Sequence, residues 1–249
     1  MELWGLSYSP WTEQARWALD HHGLAYKFKA YVPFLREAAL RLRMKKFWGR
    51  VTVPMMVVDK TVYPDSLDII RYAEKHGKGA TLLPDDLAIE AESWKARADA
   101  ALSAARGMVL RQMRSNAAGL NESVPGALPG WLRRPLAISG LWLFGQKYRL
   151  AATTMNDEEA RMVEALDALR AALARSGGKY ILGRFTLADI SAATMLQAVL
   201  PVDGRHWKIG PGMRAGWTNA RLAEKYEDLL KWRDAIYNEH RPATTSRRA

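Results

Sequence analysis

Cysteine is absent from the chain. That excludes disulfides, thiolate metal sites and any nucleophilic thiol supplied by the protein itself. No glycine-rich phosphate loop, paired acidic motif or spaced cluster of metal ligands stands out either. His21 and His22 are adjacent, with no partner at metal-site spacing, and read as structural; no metal is expected. The leading residues, MELWGLSYSPW, lack the basic head and apolar run of a secretory leader. The most apolar later run, Pro135 to Gly145, is about half the length needed to cross a bilayer. There is no internal repeat and no low-complexity tract. These absences point to a soluble, cytoplasmic protein without a transmembrane segment.

What is present is apolar and basic. Hydrophobic residues make up 49% of the 249, enough for a sizeable core, and ten tryptophans offer packing sites or flat apolar pocket walls. The net charge of +11 favours anionic partners. Residues 1–84 hold 13 basic and 8 acidic groups and the remainder 24 and 18, so the excess is spread along the chain. Even the densest block, Arg36 to Arg50, reads as a solvated face or a small-anion attractor. Nucleic-acid readout is disfavoured.

Two compositional regimes follow one another. Up to about residue 76 the order reads β-α-β-α-β-β-α. Glu2 to Tyr8 is a short strand, and Pro10 opens a helix that Gly23 ends. Residues 25–32 alternate as a second strand, and 34–47 form a basic helix. Val53 to Asp59 and Thr61 to Pro64 form a hairpin, and a helix runs from Asp65-Ser66 to about His76. The earlier crossovers favour parallel pairing. A linker over 77–85 leads to an all-helical part over 86–240, with helices at 86–118, 157–176, 186–198 and 220–237. Pro125, Pro129 and Pro135 break the chain between helices, Pro201 to Trp217 is irregular, and 241–249 is a flexible tail.

Three short motifs carry chemistry. Ser9-Pro10 puts a hydroxyl at a helix N-terminus, where unpaired N–H groups and the dipole stabilise an anion. Val53-Pro54 is an X–Pro bond at a strand start; in the cis form its backbone can face outward and receive an extended peptide. Asp65-Ser66 opens a helix: Ser66 can cap it and offer a carboxylate-binding corner, while Asp65 can pair with an ammonium. Read singly, each motif is better explained as a plain cap or strand start.

The spacing of SPWTEQARWAL, VTVPMMVVDKTVYPDSLDIIRYAEKH and ILGRFTLADISAATML resembles the glutathione S-transferase family. The resemblance implies a thioredoxin-like α/β domain over 1–76 followed by an all-α domain. It implies an enzyme that binds glutathione as co-substrate and turns its thiolate on a small apolar electrophile, as in detoxification, with isomerase or peroxidase variants also open. Val53 would bond the cysteinyl backbone of glutathione beside cis Pro54. Asp65 and Ser66 would hold the γ-glutamyl end, and Arg50, or Lys45 or Lys46, would meet the glycyl carboxylate. Ser9 matches the catalytic serine of serine-type members, with Tyr8 and Thr12 as alternatives. Thr186 and Asp189 would form a structural capping box, with Asp189 in place of the usual glutamate, and Phe185 and Ile190 a hydrophobic staple. Met108, Arg111, Gln112, His206 and Trp207 are expected to line the electrophile pocket. A homodimer is implied. The alternative reading is a non-catalytic ligand-binding or interaction protein on the same fold.

Overall fold

A computed structural model describes residues 1–31, 41–42, 51–124, 129–147 and 154–241. Four short strands form one mixed sheet in the order β2-β1-β3-β4: β1 (Glu2–Gly5), β2 (Lys27–Ala30), β3 (Met55–Val58) and β4 (Thr61–Tyr63). β1 runs parallel to β2, with Leu3 opposite Phe28, and antiparallel to β3, with Leu3 opposite Met56. The parallel pairing expected of every early crossover therefore holds for β2 only. β3 enters beside β1 in the opposite sense and turns through Asp59, at φ 53°, into antiparallel β4. Side chains alternate across the pleat. Leu3 and Met56 join one core cluster, whereas Trp4, Met55 and Val57 join another on the opposite face.

Helix α1 (Pro10–His21) crosses β1 at close range, and a side chain at Gly5 would collide with Thr12. α2 (Ser66–His76) packs beside it through Ile69, Ile70 and Ala73, all fully buried. Glu74 ties α2 to the following segment. It accepts from Leu82 N–H at 3.0–3.1 Å and meets His22 Nε2 at 2.9 Å, with Thr81 donating as well.

The remaining described helices are α3 (Ala88–Arg114), α4 (Ala117–Glu122), α5 (Gly130–Lys147), α6 (Met155–Arg175), α7 (Leu187–Met195), α8 (Pro211–Trp217), α9 (Ala220–Lys225) and α10 (Glu227–His240). Alanines 98, 101 and 105 let α3 approach α6 and α7 closely around Leu166, Leu169 and Leu196. Two expected breaks do not occur. Pro135 lies inside α5, where its missing N–H makes no bond to the Trp131 carbonyl. The segment 201–217, expected to be irregular, ends in α8, which Pro211 opens at its first turn. The expected capping box closes both ways: Thr186 N–H donates to Asp189 Oδ2 at 2.8 Å and the Thr186 side chain accepts in return, while Ile181 N–H donates to Asp189 Oδ1 at 2.9 Å. Burial pushes the Asp189 carboxyl up to about 6 against those bonds. Phe185 and Ile190 meet in one core cluster.

That cluster runs across both halves, from Trp17 and Leu19 to Leu187, Ile190 and Tyr237. Polar contacts join the halves too. Gln14 Nε2 donates to Thr194 Oγ1 at 3.0 Å, and Trp17 Nε1 to the His240 carbonyl at 3.1 Å. Arg241 is buried, donating to Glu13 Oε1 at 2.7 Å and Asp20 Oδ2 at 2.8 Å. Arg241, expected to open a flexible tail, is held instead by two buried carboxylates. Among the described residues no helix is long and apolar enough to cross a membrane.

Candidate functional site

Strand directions collect the three motifs at one end of the sheet. β1 is antiparallel to β3, so the exit of β1 toward Ser9 lies beside the entry of β3 from Val53-Pro54, with Trp4 opposite Met55. β4 is antiparallel to β3, so its exit toward Asp65 lies at the same end, with Tyr63 opposite Met56.

Ser9 is the N-cap of α1 and is buried. Its N–H donates to the Leu6 carbonyl at 3.1 Å, and its own carbonyl receives Glu13 N–H at 3.0 Å. Oγ accepts from Thr12 N–H at 3.4 Å, a long and therefore weak cap bond. The hydroxyl proton is left to donate elsewhere. Half-buried Tyr8 faces the same space; burial pushes its phenol up to about 12, so it stays protonated at neutral pH. Thr12 lies behind, buried against Gly5 and away from that space.

The Val53–Pro54 peptide bond is cis, with Val53 half-buried and Pro54 buried. Asp65, not Ser66, caps α2: its Oδ1 accepts from Asp68 N–H at 3.0 Å. Ser66 is the first helical residue. It is buried. Asp65 is exposed, leaving its second oxygen open to a cation. Arg50, Lys45 and Lys46 lie outside the described residues.

Beside Ser9 opens a cavity of about 310 Å³. Leu6, Tyr8, Ser9, Pro10 and Trp11 form its floor. One face of α3 forms a wall: Leu102, Arg106, Val109, Leu110 and Met113 fall at helical spacing. Leu136, Gly140, Leu141 and Phe144 of α5 close it opposite, and Met213 and Trp217 of α8 complete it. The Arg106 guanidinium lies 4.6 Å from the centre of the Trp11 ring.

The residues expected to line this space lie elsewhere. Arg111 forks onto buried Glu158 at 2.7 and 3.0 Å, where Gly107 leaves room for the carboxylate. Gln112 Nε2 donates to the carbonyls of Ala215 and Thr218 at 2.9 and 3.0 Å. Met108 packs into the helical core. Trp207 is buried, its indole donating to the Ser7 carbonyl at 3.0 Å, which steadies the turn before Ser9. His206 meets Asn238 instead. The stripe 102-106-109-113 was readable as one helix face; which face meets the cavity depended on the partner helices. Among the described residues no group of three or more histidines and carboxylates is placed to hold a metal.

Family sequence models decide what kind of protein carries this arrangement. The glutathione S-transferase N-terminal domain matches residues 3–80, and the glutathione S-transferase C-terminal domain matches 129–235. The chain belongs to the glutathione S-transferase family. A curated relative, Protein IN2-1 of Zea mays, is 28% identical over 155 residues, which are 62% of this chain and 47% of that protein. The match thus spans about half the length of that relative. Solved structures give the fold. The glutathione S-transferase of Methylobacillus flagellatus with glutathione bound superposes with a TM-score of 0.61 at 15% identity, covering 96% of this chain and 95% of that one. That of Methylobacterium radiotolerans, in complex with glutathione sulfonate, gives 0.62 at 15% identity, covering 100% and 96%. This transferase-family chain therefore has the thioredoxin-like half and the all-helical half that its sequence suggested.

Proposed function

We propose that the protein is a glutathione transferase: it binds glutathione along the sheet end shared by Val53, Pro54, Asp65 and Ser66, and Ser9 holds the sulfur as a thiolate for attack on an apolar electrophile. The cis Val53–Pro54 bond suits the cysteinyl backbone of the tripeptide. Ser66, a buried serine at the start of α2, suits the γ-glutamyl carboxylate, and the exposed Asp65 suits its ammonium. Arg50 is assigned the glycyl carboxylate.

The carrying observation is a buried serine hydroxyl, only weakly engaged in its own cap, at the N-terminus of a helix and in the wall of an apolar cavity. A free thiol titrates near 8.5, so only a small fraction is ionised at neutral pH. A hydrogen bond to the anion plus the helix terminus is worth roughly 2–3 kcal/mol. That is enough for a drop of about one to two pKa units, each worth about 1.4 kcal/mol. The thiol releases its proton to solvent, the sulfur attacks the electrophilic carbon, and the leaving group departs with its bonding electrons. Enclosure by α3 and α5 excludes water and strengthens each of these interactions.

Two alternatives to Ser9 fit less well. A phenol held protonated up to about 12 can donate from Tyr8, but its ring forms the cavity floor rather than a helix cap. Thr12 is behind the strand–helix contact. The working unit is taken to be a homodimer, which light scattering would read as twice the chain mass.

The test is Ser9→Ala. It should lower conjugation of chlorodinitrobenzene while glutathione still binds. Unchanged turnover would remove Ser9 from the chemistry. Binding without turnover in the unaltered protein would make it a glutathione-binding carrier instead.

A further inference from the structure

Helix α5 is apolar on two sides. Leu136, Ala137, Gly140, Leu141 and Phe144 line the cavity. On the outer side Trp131, Ile138 and Trp142 stand 76%, 50% and 59% exposed. At about 100° per residue these three fall within about 40° of one another, in a stripe about 16 Å long. Leu143 is exposed beside it, and exposed Leu136 carries the apolar surface over to the cavity wall. A helix that is apolar all round is ordinarily enclosed all round. Here, among the described side chains of α5, only Ala137 is buried. Two exposed tryptophans on one helix make an apolar patch of the kind that marks an interaction site.

Charge decides what covers the stripe. From Ser123 to Asn156 the sequence has four basic residues, Arg133, Arg134, Lys147 and Arg149, and no aspartate or glutamate. Arg134 is exposed and lies about 40–80° around the helix from the stripe. The chain as a whole carries +11. A second copy packed there face to face would oppose like charges. An anionic bilayer attracts them, and tryptophan rings settle at the boundary between headgroups and acyl chains. We propose that the outer face of α5 docks on anionic phospholipid membranes, with Trp131, Ile138 and Trp142 entering the interface and Arg134 meeting headgroup phosphates. The helix lies in the surface and does not cross it, as a peripheral helix does when apolar side chains and cations share its membrane side. Because Leu136 belongs to both surfaces, docking brings the cavity beside the phase in which apolar compounds dissolve. The docking itself does not rest on the transferase reading.

Vesicle flotation of the full chain is the test. The protein should float with mixed phosphatidylcholine–phosphatidylserine vesicles, stay behind with phosphatidylcholine alone, and lose binding as salt is raised. Trp131→Ser and Trp142→Ser should each weaken binding about tenfold, since each withdraws a large apolar surface from the interface. Arg134→Glu should weaken it about tenfold or more, by reversing one charge against the anionic surface. All three positions are exposed and outside the cavity lining, so Tm and glutathione binding should stay unchanged and report an intact fold. Failure to float with the mixed vesicles, equal binding to both kinds, or variants that bind as well as the unaltered protein would each overturn the proposal. So would a light-scattering mass that halves in Trp142→Ser, which would give this face to a second copy instead.

Discussion

Replacing Arg241 with methionine should cost more stability than almost any other single change in this protein. Its guanidinium reaches Glu13 Oε1 at 2.7 Å and Asp20 Oδ2 at 2.8 Å, and the side chains of Arg241 and Glu13 are each 2% exposed and that of Asp20 1%. The cation also lies 5.7 Å from the Trp17 ring centre. Methionine fills much of the volume but leaves two buried carboxylates with only the Arg16 guanidinium, 3.9 Å from Glu13 Oε2, as a nearby cation among the described residues. Breaking a buried pair this way costs about 3–5 kcal/mol. Against a typical total of about 5–15 kcal/mol, that is a large share. For a chain of this size it corresponds to a fall of about 6–20 °C in Tm. Urea titration and thermal melting would read it directly. Burial already pushes the Asp20 carboxyl up against the pull of Arg241, and removing the arginine lets it rise further. A carboxyl raised in the folded state binds its proton more tightly there than in the unfolded chain. The variant should therefore lose stability as pH rises from about 4 toward neutrality, and its deficit should be smallest in acid. A loss below about 1 kcal/mol, or one that does not vary with pH, would refute the buried-clamp reasoning. Because the clamp grips the face of α1 that Ser9 begins, the glutathione KM of any folded variant should rise as well.

Two further predictions concern pH. Burial alone would raise Glu74, but hydrogen bonds from His22, Thr81, Leu82 and Leu83 outweigh it and hold the carboxyl at about 2. Its folded pKa lies below the unfolded value, so its contribution is full above about 4.5 and fades as pH falls toward 2. Glu74→Gln should lower stability at neutral pH and flatten that acid limb in denaturation curves; an unchanged limb would contradict it. Asp189 shifts the other way, up to about 6, so its proton favours the folded state and stability declines as pH rises from about 4 to 6. Asp189→Asn should erase that decline while weakening the cap bonds to Ile181 and Thr186, and a decline that persists would count against the assignment.

Local signals were the legible ones. Ser9-Pro10, Asp65-Ser66 and Thr186-x-x-Asp189 mark helix starts because capping is decided within four residues. All three are found at helix starts, though the caps of α1 and α2 are Ser9 and Asp65. The β-α-β…β-β-α order could be read from alternation and apolar runs. The sense of β3 could not, because strand direction depends on where the connecting chain returns. The pocket lining was missed for a related reason. Helix α3 buries Ala98, Leu102, Ala105 and Val109 among others, and its apolar stripe is too broad to reveal which part faces the gap under α5. At about 100° per residue, Met108, Arg111 and Gln112 lie about 90–170° around the helix from the stripe 102-106-109-113, so the expected set took the wrong side of the same helix. α5 escaped notice because its proline and its exposed tryptophans, Trp131 and Trp142, do not look like a helix with one buried face.

The measurement closest to the central claim is the ultraviolet titration of the thiol of protein-bound glutathione, compared between the unaltered protein and Ser9→Ala. The bound thiol should titrate about one to two units below its free value of about 8.5, and the alanine variant should return it most of the way while still binding the tripeptide. A bound thiol that titrates at the free value in the unaltered protein, or one that stays depressed without the Ser9 hydroxyl, would contradict the account.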